Sequence, residues 1–333
     1  MKKIHLALLF LLLSMLACNL PAHVNTGPQP IQWATQPANP TTTPTAFVPA
    51  QPSPTPPLSI ETAIPSITPT PTTPSQADRI VNLLILGSDQ RQSADFRTDV
   101  ILFISINLDQ GNAGMVSFPR DLYVTLPGWG ENRINTAMEF GGFSLMADTF
   151  EYNFGVRPSF YILTNFQGFV SIVDSLGGID IQAAQTLTDQ CHLPQAIGGY
   201  CTILAGPVHL DGQTALWYVR SRYSTSDFDR GRRAQEVLLG LFRSLMSINA
   251  IQRAPELYQA YRSSVDTNLS LEQILPLLQV ASQIYNEPAR LRRYTITPAE
   301  AYPYTLPDSG ASVLIPNYEA IQGLLWQTMH GSP

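Results

Sequence analysis

The stretch Val81-Asn82-Leu83-Leu84-Ile85-Leu86-Gly87-Ser88-Asp89 joins an apolar run to an acidic residue, and this combination recurs along the chain. Apolar runs of this length that end in glycine and polar residues predict β-strands. A second run, residues 100–108, follows Arg97-Thr98-Asp99, and a third, residues 114–118, continues into Pro119-Arg120-Asp121. Arginine and aspartate therefore stand at the ends of successive predicted strands.

These residue types suit a site for a pyrophosphate group and its metal ion. Carboxylates bind hard cations such as Mg²⁺ or Mn²⁺, and a guanidinium group can hold two phosphate oxygens at once. Further downstream the chain repeats the pattern in Arg220-Ser221-Arg222 and in Asp227-Phe228-Asp229-Arg230. The pattern therefore predicts a site for pyrophosphate and a bound divalent cation.

The composition of the 333-residue chain limits its class. Hydrophobic residues make up 44% of the chain, which is enough for one or two domains with a substantial core. The formal net charge is −6, whereas proteins that bind nucleic acid usually carry a basic excess. The composition therefore does not favour a nucleic-acid-binding protein.

The first 18 residues have the pattern of an export signal. Lys2 and Lys3 precede an apolar stretch over residues 4–17, which is shorter than the roughly 20 residues of a transmembrane helix. The stretch ends in Ala17-Cys18, and a small residue before cysteine resembles a bacterial lipobox, in which the cysteine is acylated after cleavage. We therefore predict a signal peptide over residues 1–18 and a lipid anchor on Cys18 at the outer face of the cytoplasmic membrane. An uncleaved membrane anchor and plain secretion are the alternatives.

Residues 19–77 are predicted to be a disordered linker. They contain 15 of the 28 prolines, many threonines and a single charged residue, Glu61. A segment of this composition cannot bury enough apolar surface to offset the entropy that is lost on ordering. Its expected role is reach, because an extended proline-rich chain lets a tethered domain leave the membrane and enter the cell wall.

Two of the three cysteines, Cys191 and Cys201, have nine residues between them. In an oxidising compartment, a pair at this spacing predicts a disulfide. A zinc site of Cys191, His192 and Cys201 is the alternative, but it lacks a convincing fourth ligand.

Residues 78–333 are predicted to fold as one α/β domain. Apolar runs predict strands at residues 81–86, 100–108, 114–118, 160–164 and 179–181. Helical patterns cover residues 143–153, 167–176, 212–218, 230–249 and 271–285, and Asp211 is well placed as the N-cap of the third. Because strands and helices interleave, we expect a layered α/β/α domain with a mixed central sheet and helices on both faces.

The charged motifs occur in an order and at spacings that resemble those of the LytR-CpsA-Psr family. The matching blocks lie between about residues 80 and 245. They are Asn82-Leu83-Leu84-Ile85-Leu86-Gly87-Ser88-Asp89-Gln90-Arg91, Arg97-Thr98-Asp99, Ser117-Phe118-Pro119-Arg120-Asp121, Arg133-Ile134-Asn135, Val173-Asp174-Ser175-Leu176-Gly177-Gly178-Ile179-Asp180, Arg220-Ser221-Arg222 and Asp227-Phe228-Asp229-Arg230-Gly231-Arg232-Arg233.

This resemblance implies a metal-dependent, extracytoplasmic phosphotransferase of the cell envelope. Members of the family move a glycopolymer from a polyprenyl pyrophosphate lipid carrier to peptidoglycan or a similar wall glycan, and they bind Mg²⁺ or Mn²⁺. A pyrophosphatase that uses water as the acceptor is an alternative, because only the acceptor differs. A non-catalytic binder of polyprenyl phosphates is the alternative from another class.

The resemblance also implies roles for individual residues. Asp89 and Asp99 would coordinate the metal ion, and Asp121 would orient Arg120 or deprotonate the acceptor hydroxyl. The arginines that would hold the pyrophosphate are Arg97, Arg120, Arg220, Arg222 and Arg230. Phosphoryl transfer needs such a set, because negative charge spreads over the phosphoryl oxygens and a sugar hydroxyl needs a base.

Some residues carry more than one interpretation in the sequence. Arg133 and Asn135 lie in a matching block, but the sequence assigns them no role. Arg220 and Arg222 alternate along an apparently extended segment, which predicts that both face the same side. The apolar residues of 140–154 and 160–173 suit either the wall of a lipid tunnel or an ordinary hydrophobic core.

Overall fold

The computed structural model describes residues 79–89, 97–222, 226–247 and 254–331. The predicted signal peptide with Cys18 and the predicted linker lie outside the described residues. Within the four described ranges, no helix is both long enough and apolar enough to span a membrane.

Strands and helices alternate along these ranges. The strands are β1 (Ile80–Ser88), β2 (Thr98–Asn107), β3 (Asn112–Phe118), β4 (Tyr123–Leu126), β5 (Gly130–Arg133), β6 (Phe160–Asn165), β7 (Ile179–Ala183), β8 (Leu187–Gln190), β9 (Tyr200–Ile203), β10 (Gly206–Leu210), β11 (Asp266–Thr267), β12 (Leu291–Thr295), β13 (Ala301–Thr305) and β14 (Ser312–Pro316). The helices are α1 (Ala137–Phe154), α2 (Phe166–Ser175), α3 (Gly212–Arg220), α4 (Asp227–Ser247), α5 (Ala254–Tyr261), α6 (Leu271–Asn286) and α7 (Tyr318–His330), with short 3₁₀ helices at Ile134–Thr136 and Pro288–Arg290.

Six strands form the central sheet in the order β11-β6-β1-β2-β3-β12. The sheet is mixed, as predicted, because β1 is antiparallel to β2 and parallel to β6, while β3 is antiparallel to β2 and parallel to β12. Since β2 runs opposite to its two neighbours, its first residues lie beside the last residues of β1 and β3. Gly87 pairs with Val100 at this edge, and Ile101 pairs with Phe118. The polar residues that flank these three strand ends are thereby brought together.

Helices cover both faces of the sheet, which confirms the predicted layers. On one face, α1 and α7 pack against the sheet, and the ring centroid of Phe118 lies 4.9 Å from that of Phe150 and 5.3 Å from that of Phe154. Leu84 and Leu86 are fully buried in this core. On the other face, α4 packs across β2 and β3.

A second apolar cluster joins α2, α3 and α4 to the paired strands β7–β10 and β8–β9. Ile181, Tyr218 and Val237 are buried in it. Asp211 is the N-cap of α3, as predicted, because its carboxylate accepts a hydrogen bond from the backbone N–H of Thr214 at 2.8 Å. This second cluster forms the outer wall of the cavity described below.

The predicted strands and helices are present, with boundaries that differ by a few residues, and the last two residues of the helix predicted over 230–249 lie outside the described residues. The largest difference is the start of α1, which begins at Ala137 and is interrupted at Gly141 and Gly142. Gly142 has a φ of 63°, a conformation that favours glycine, so the break follows from the sequence even though the helix resumes after it. The C-terminal segment contributes β12 to the central sheet beside β3, a strand for which the sequence carried no clear signal.

Candidate active site

Asp89 lies directly after β1, at the sheet edge where the strand ends meet. Its Oδ1 accepts a hydrogen bond from the backbone N–H of Arg97 at 2.6 Å, and its own backbone N–H donates to the carbonyl of Arg97 at 3.1 Å. These two bonds join the end of β1 to the residue before β2. Asp89 is therefore held at the edge by its backbone and by one of its two carboxylate oxygens.

Arg120 links two of the predicted carboxylates. Its Nη1 lies 2.6 Å from Asp99 Oδ1, and its Nε lies 3.3 Å from Asp121 Oδ2. Burial alone would lower the pKa of Arg120, but the hydrogen bond that Arg120 donates to Asp99 and the charges of Asp99, Asp121 and Asp227 outweigh it and raise that pKa. Arg120 is consequently a permanent cation between the carboxylates of Asp99 and Asp121.

Asp121 has a pKa above its usual range. The main cause is burial, and the hydrogen bond and negative charge of Asp227 add to it, while the charges of Arg120 and Arg133 act in the opposite direction. Arg133 Nε lies 3.3 Å from Asp121 Oδ1. A carboxylate with a raised pKa is a stronger base than an exposed aspartate, which suits it to accept a proton from a hydroxyl group.

Asp227 belongs to the same group of charged residues as Arg120 and Asp121, although the sequence pattern assigns it no role. It is the first residue of α4, and its Oδ1 lies 2.9 Å from Nη2 of the buried Arg230. The pKa of Arg230 is lowered by burial and by the charge of Arg120, against the charge of Asp227. The available signal was the position of Asp227 one helical turn before Arg230, which places both on one face.

A cavity of about 850 Å³ opens beside these residues. Its polar part is lined by five arginines and three aspartates: Arg97, Arg120, Arg220, Arg222, Arg230, Asp89, Asp99 and Asp189. Arg120 and Arg230 are paired with carboxylates, whereas Arg97 and Arg220 make no ion pair with a carboxylate in the part of the chain that the structure describes. The Arg220 guanidinium instead lies over the ring of Phe166, 4.1 Å from its centroid. Excess positive charge at this end suits an anion such as pyrophosphate.

The same cavity continues between apolar side chains. They come from β1, β2 and the helices α2, α3 and α4, and include Ile85, Leu102, Phe169, Leu216, Trp217, Val219, Val237, Leu238 and Leu241. The sequence left open whether residues 140–154 and 160–173 line a tunnel or belong to the core. In the structure, Phe166 and Phe169 line the cavity, whereas Phe150 and Phe154 belong to the core. The cavity thus joins a cationic end to an apolar end.

The hairpin of β8 and β9 closes part of the outer wall. The Trp217 indole N–H donates to the carbonyl of Gln190 at 2.8 Å, and Cys191, His192 and Leu193 also line the cavity. Cys191 is paired with Cys201, with a Cα–Cα separation of 5.6 Å that is ordinary for a disulfide.

Arg233 lies in the last matching motif, but the sequence pattern assigns it no separate role. It is almost fully buried, its Nε donates to the carbonyl of Tyr218 at 2.8 Å, and its Nη2 donates to the carbonyl of Ser221. These carbonyls belong to the end of α3 and its C-cap, the segment that carries Arg220 and Arg222. Spacing alone could not separate this role from that of a surface ion pair, because the carbonyl partners are distant in sequence.

The prediction that Arg220 and Arg222 alternate along an extended segment is wrong. Arg220 is the last residue of α3, and Ser221 is its C-cap. The helix extends this far because the backbone N–H of Ser221 still donates to the carbonyl of Trp217 at 2.9 Å. Both arginines nevertheless line the cavity, so the structure brings them to the predicted site by a different local route.

Arg133 and Asn135 lie beside the cluster, outside the cavity lining. Arg133 contacts Asp121 as described, and the backbone N–H of the buried Asn135 donates to the carbonyl of Arg120 at 3.3 Å. Both residues therefore support the segment of Arg120 and Asp121, which explains their place in the motif without direct contact to the cavity.

The carboxylates fit a cation that is shared with a substrate. Among the described residues, no group of three or more histidine, cysteine, aspartate or glutamate side chains is placed to hold a metal ion. Asp89 and Asp99 both line the cationic end of the cavity. Mg²⁺ is commonly bound by one or two carboxylates together with substrate phosphates and water, and two carboxylates in an arginine-lined cavity match that set of donors.

The amino-acid sequence matches one known protein family. The sequence profile of the LytR_cpsA_psr family matches residues 58–313. The chain belongs to this family.

Three similar proteins illustrate the relationship. The polyisoprenyl-teichoic acid–peptidoglycan teichoic acid transferase TagU of Oceanobacillus iheyensis is 33% identical over 206 residues, which is 60% of this chain and 62% of TagU. The aligned part therefore spans about three fifths of that relative's length. The crystal structure of B. subtilis TagV shares the fold with a TM-score of 0.64 at 22% identity, over 77% of this chain and 99% of TagV. A structure of the family protein YwtF (TagT) with bound octaprenyl pyrophosphate lipid shares it with a TM-score of 0.54 at 23% identity, over 76% of this chain and 89% of that one.

Proposed function

We propose that this protein is an extracytoplasmic phosphotransferase that moves a glycopolymer from a polyprenyl pyrophosphate carrier to peptidoglycan or a similar wall glycan. The observation that carries the proposal is the cavity of about 850 Å³, which joins five arginines at one end to apolar side chains at the other. A polyprenyl pyrophosphate has the same division between a charged head and an apolar tail. The relative TagU is named as a transferase for a polyisoprenyl-linked teichoic acid, and this supports the same class of substrate here.

In this proposal the arginines neutralise the pyrophosphate and the charge that develops during transfer. Arg97, Arg120, Arg220, Arg222 and Arg230, which all line the cavity, would contact the pyrophosphate oxygens. Guanidinium groups in a partly buried site stabilise such charge more strongly than water does, because they are already oriented before the reaction. The contact of the Arg220 guanidinium with the Phe166 ring, 4.1 Å from its centroid, would hold this group at the cavity.

The reaction would proceed by attack of an acceptor hydroxyl oxygen on the phosphorus that carries the glycopolymer. A new P–O bond forms to the acceptor, and the bond to the bridging oxygen of the pyrophosphate breaks. Polyprenyl monophosphate leaves with that electron pair, and the hydroxyl proton passes to Asp121, whose pKa is raised by burial and by Asp227. Arg120 contacts the carboxylates of both Asp99 and Asp121 and thereby joins the cavity to the proposed base.

We also propose that Mg²⁺ or Mn²⁺ acts at this site, held by Asp89 and Asp99 together with the pyrophosphate. When bound, such an ion would offset the charge of the phosphate oxygens. We further propose that lipidated Cys18 anchors the chain to the membrane and that the linker over residues 19–77 lets the domain extend away from it. A disulfide between Cys191 and Cys201 would stabilise the wall of the cavity.

The test uses the purified full-length chain with geranylgeranyl pyrophosphate, in the presence of Mg²⁺ or Mn²⁺ and with or without peptidoglycan fragments. Binding is measured by calorimetry and turnover by the release of the prenyl monophosphate. We expect Asp99→Ala and Arg120→Ala each to reduce turnover by at least about 100-fold, by analogy with the loss of a single donor to a reacting oxyanion. Arg157→Ala is the matched control, because among the described residues Arg157 forms its ion pairs with exposed Asp148 and Glu151 on α1.

Turnover that depends on the divalent cation and is lost in both site variants supports the proposal. Unchanged turnover in Asp99→Ala and Arg120→Ala contradicts it, as does the absence of any binding of the prenyl pyrophosphate by the wild-type chain.

A further inference from the structure

A second, smaller sheet surface lies next to Asp121, and it does not line the cavity. β4 pairs with β5, and β13 pairs with β14. A parallel bridge between Leu122 and Leu314 joins the two hairpins, and the backbone N–H of Leu314 donates to the carbonyl of Asp121 at 2.9 Å. The residue proposed as the base is therefore part of the same small surface as the hairpin of β13 and β14.

The alternation of side chains along a strand decides what this surface presents. Leu122 and Leu314 are buried in the main core. Their neighbours Asp121 and Val313 therefore lie on the opposite face of the strands, where Val313 is itself buried. Tyr304 pairs with Val313 and so shares that face. Asp121, Val313 and Tyr304 form one row across three neighbouring strand segments, and the row spans about 10 Å from Asp121 to Tyr304 at ordinary strand spacing.

A second row runs parallel to the first. Arg133 pairs with Tyr123 across β5 and β4, and Tyr302 pairs with Ile315 across β13 and β14. Tyr302 and Tyr304 are two residues apart on β13, so their rings emerge on the same face about 7 Å apart. The two residues are 52% and 44% exposed, which is high for two neighbouring aromatic residues on one face.

Arg133 fastens the hairpin to the proposed base. Its Nε lies 3.3 Å from Asp121 Oδ1, and its Nη2 donates to the carbonyl of Ser312 on β14 at 2.7 Å. The guanidinium group of Arg133 thus sets the position of Asp121 relative to β14, the strand that pairs with the two tyrosines of β13. A ligand that rests on the tyrosines would be held at a defined distance from the Asp121 carboxylate.

We propose that Tyr302 and Tyr304 form the binding surface for the acceptor glycan of the transfer. Two exposed rings on an uncharged strand, Ala-Tyr-Pro-Tyr-Thr, suit the C–H faces of consecutive sugar rings, and the tyrosine hydroxyls suit their polar edges. The lipid-linked donor has its own cavity on the other side of Arg120, where Asp99 is part of the lining and Asp121 is not. The two substrates therefore approach the phosphorus from two sides. This inference rests on the proposed function.

The test measures binding of a soluble peptidoglycan tetrasaccharide to the full-length chain by calorimetry. We expect Tyr302→Ala combined with Tyr304→Ala to weaken this binding by about tenfold or more, since two aromatic contacts are lost. Tyr304→Phe should retain most of the affinity, because the ring remains. The control is Tyr285→Ala, since Tyr285 is also 42% exposed but lies on α6, whose Ile284 packs with Ala113 at the start of β3, the end remote from Asp121.

Binding of geranylgeranyl pyrophosphate to the same samples separates this inference from the proposed function. Loss of glycan affinity in the double variant, with prenyl pyrophosphate affinity and melting temperature unchanged, supports the acceptor surface. Equal glycan affinity in the wild-type chain and the double variant overturns it, and so does a wild-type chain that binds the prenyl pyrophosphate but no glycan. A wild-type chain that binds no prenyl pyrophosphate overturns the proposed function itself.

Discussion

Replacement of Arg233 by alanine tests how the arginine-bearing end of α3 is held. Arg233 is 1% exposed, and its guanidinium group donates to the carbonyls of Tyr218 and Ser221. The guanidinium carbon also lies 5.8 Å from the centroid of the Tyr218 ring. Without the side chain, both carbonyls lose a charged donor inside the protein. The segment that carries Arg220 and Arg222 is then no longer held by these two hydrogen bonds.

The expected cost follows from these two carbonyls. Leaving a buried acceptor without its donor costs about 1–3 kcal/mol, so Arg233→Ala should lower the free energy of unfolding by about 2–6 kcal/mol. Arg233→Lys should lose less, because an ammonium group still supplies a charged donor but lacks the fork that reaches two carbonyls. The assay is urea unfolding of the full-length chain, followed by circular dichroism.

The same variants should weaken the binding of geranylgeranyl pyrophosphate, with alanine worse than lysine, although Arg233 does not line the cavity. Arg157→Ala is the control, because a surface ion pair contributes only about 0–1 kcal/mol. A loss of less than about 1 kcal/mol in Arg233→Ala, or lipid binding equal to that of the wild-type chain, would refute the reasoning.

Three further predictions concern the base, the cavity and the disulfide. The transfer rate should fall when the pH drops through the raised pKa of Asp121. Asp227→Asn should move this fall to lower pH, because Asp227 raises that pKa through its charge and hydrogen bond. A pH–rate profile whose acidic limb is the same in this variant and in the wild-type chain contradicts this. Leu238→Trp should fill the apolar part of the cavity and weaken the affinity for geranylgeranyl pyrophosphate by about tenfold or more, through lost burial of the prenyl chain, while the affinity for inorganic pyrophosphate, measured by calorimetry, stays unchanged. Replacing Cys191 and Cys201 by serine should lower the free energy of unfolding by about 3 kcal/mol, the value that loop closure gives on the chain-entropy model; an equal stability in urea would argue against the disulfide.

The sign of the pH effect on stability also follows from Asp121. Its pKa is raised in the folded protein, so the folded state binds this proton more tightly than the unfolded state does. The resulting stabilisation is fully present below the usual aspartate pKa and is lost as the pH rises through the raised value. Activity and this contribution to stability therefore change in opposite directions with pH.

Much of the fold, and the meeting of charged residues at one edge of the sheet, could be predicted from the sequence, because the decisive signals are local. Apolar runs with polar ends identified β1, β2, β3 and β6, and the antiparallel order of β1, β2 and β3 then brings Asp89, Asp99 and Arg120 to one edge. Asp211 was recognisable as an N-cap because its partner is three residues away. For such features, neighbouring residues alone carry the information.

Features that depend on distant partners were not predictable. Arg233 contacts the carbonyl of Tyr218, 15 residues away, and the tyrosines of β13 are brought near Asp121 by a bridge to Leu122. The strand β12 has no distinctive pattern, and only its pairing with β3 defines it. The sequence also does not show that Arg220 ends a helix, because charged residues two apart fit either an extended segment or the end of a helix.

The measurement that tests the central claim most directly is transfer in water enriched in ¹⁸O. The full-length chain is given a polyprenyl-pyrophosphate-linked glycan, a peptidoglycan acceptor and Mg²⁺, and the products are analysed by mass spectrometry. The proposed mechanism predicts a phosphodiester between glycan and acceptor that contains no ¹⁸O, together with polyprenyl monophosphate. A glycan phosphate that carries ¹⁸O, without any linked product, would contradict the account and identify a pyrophosphatase.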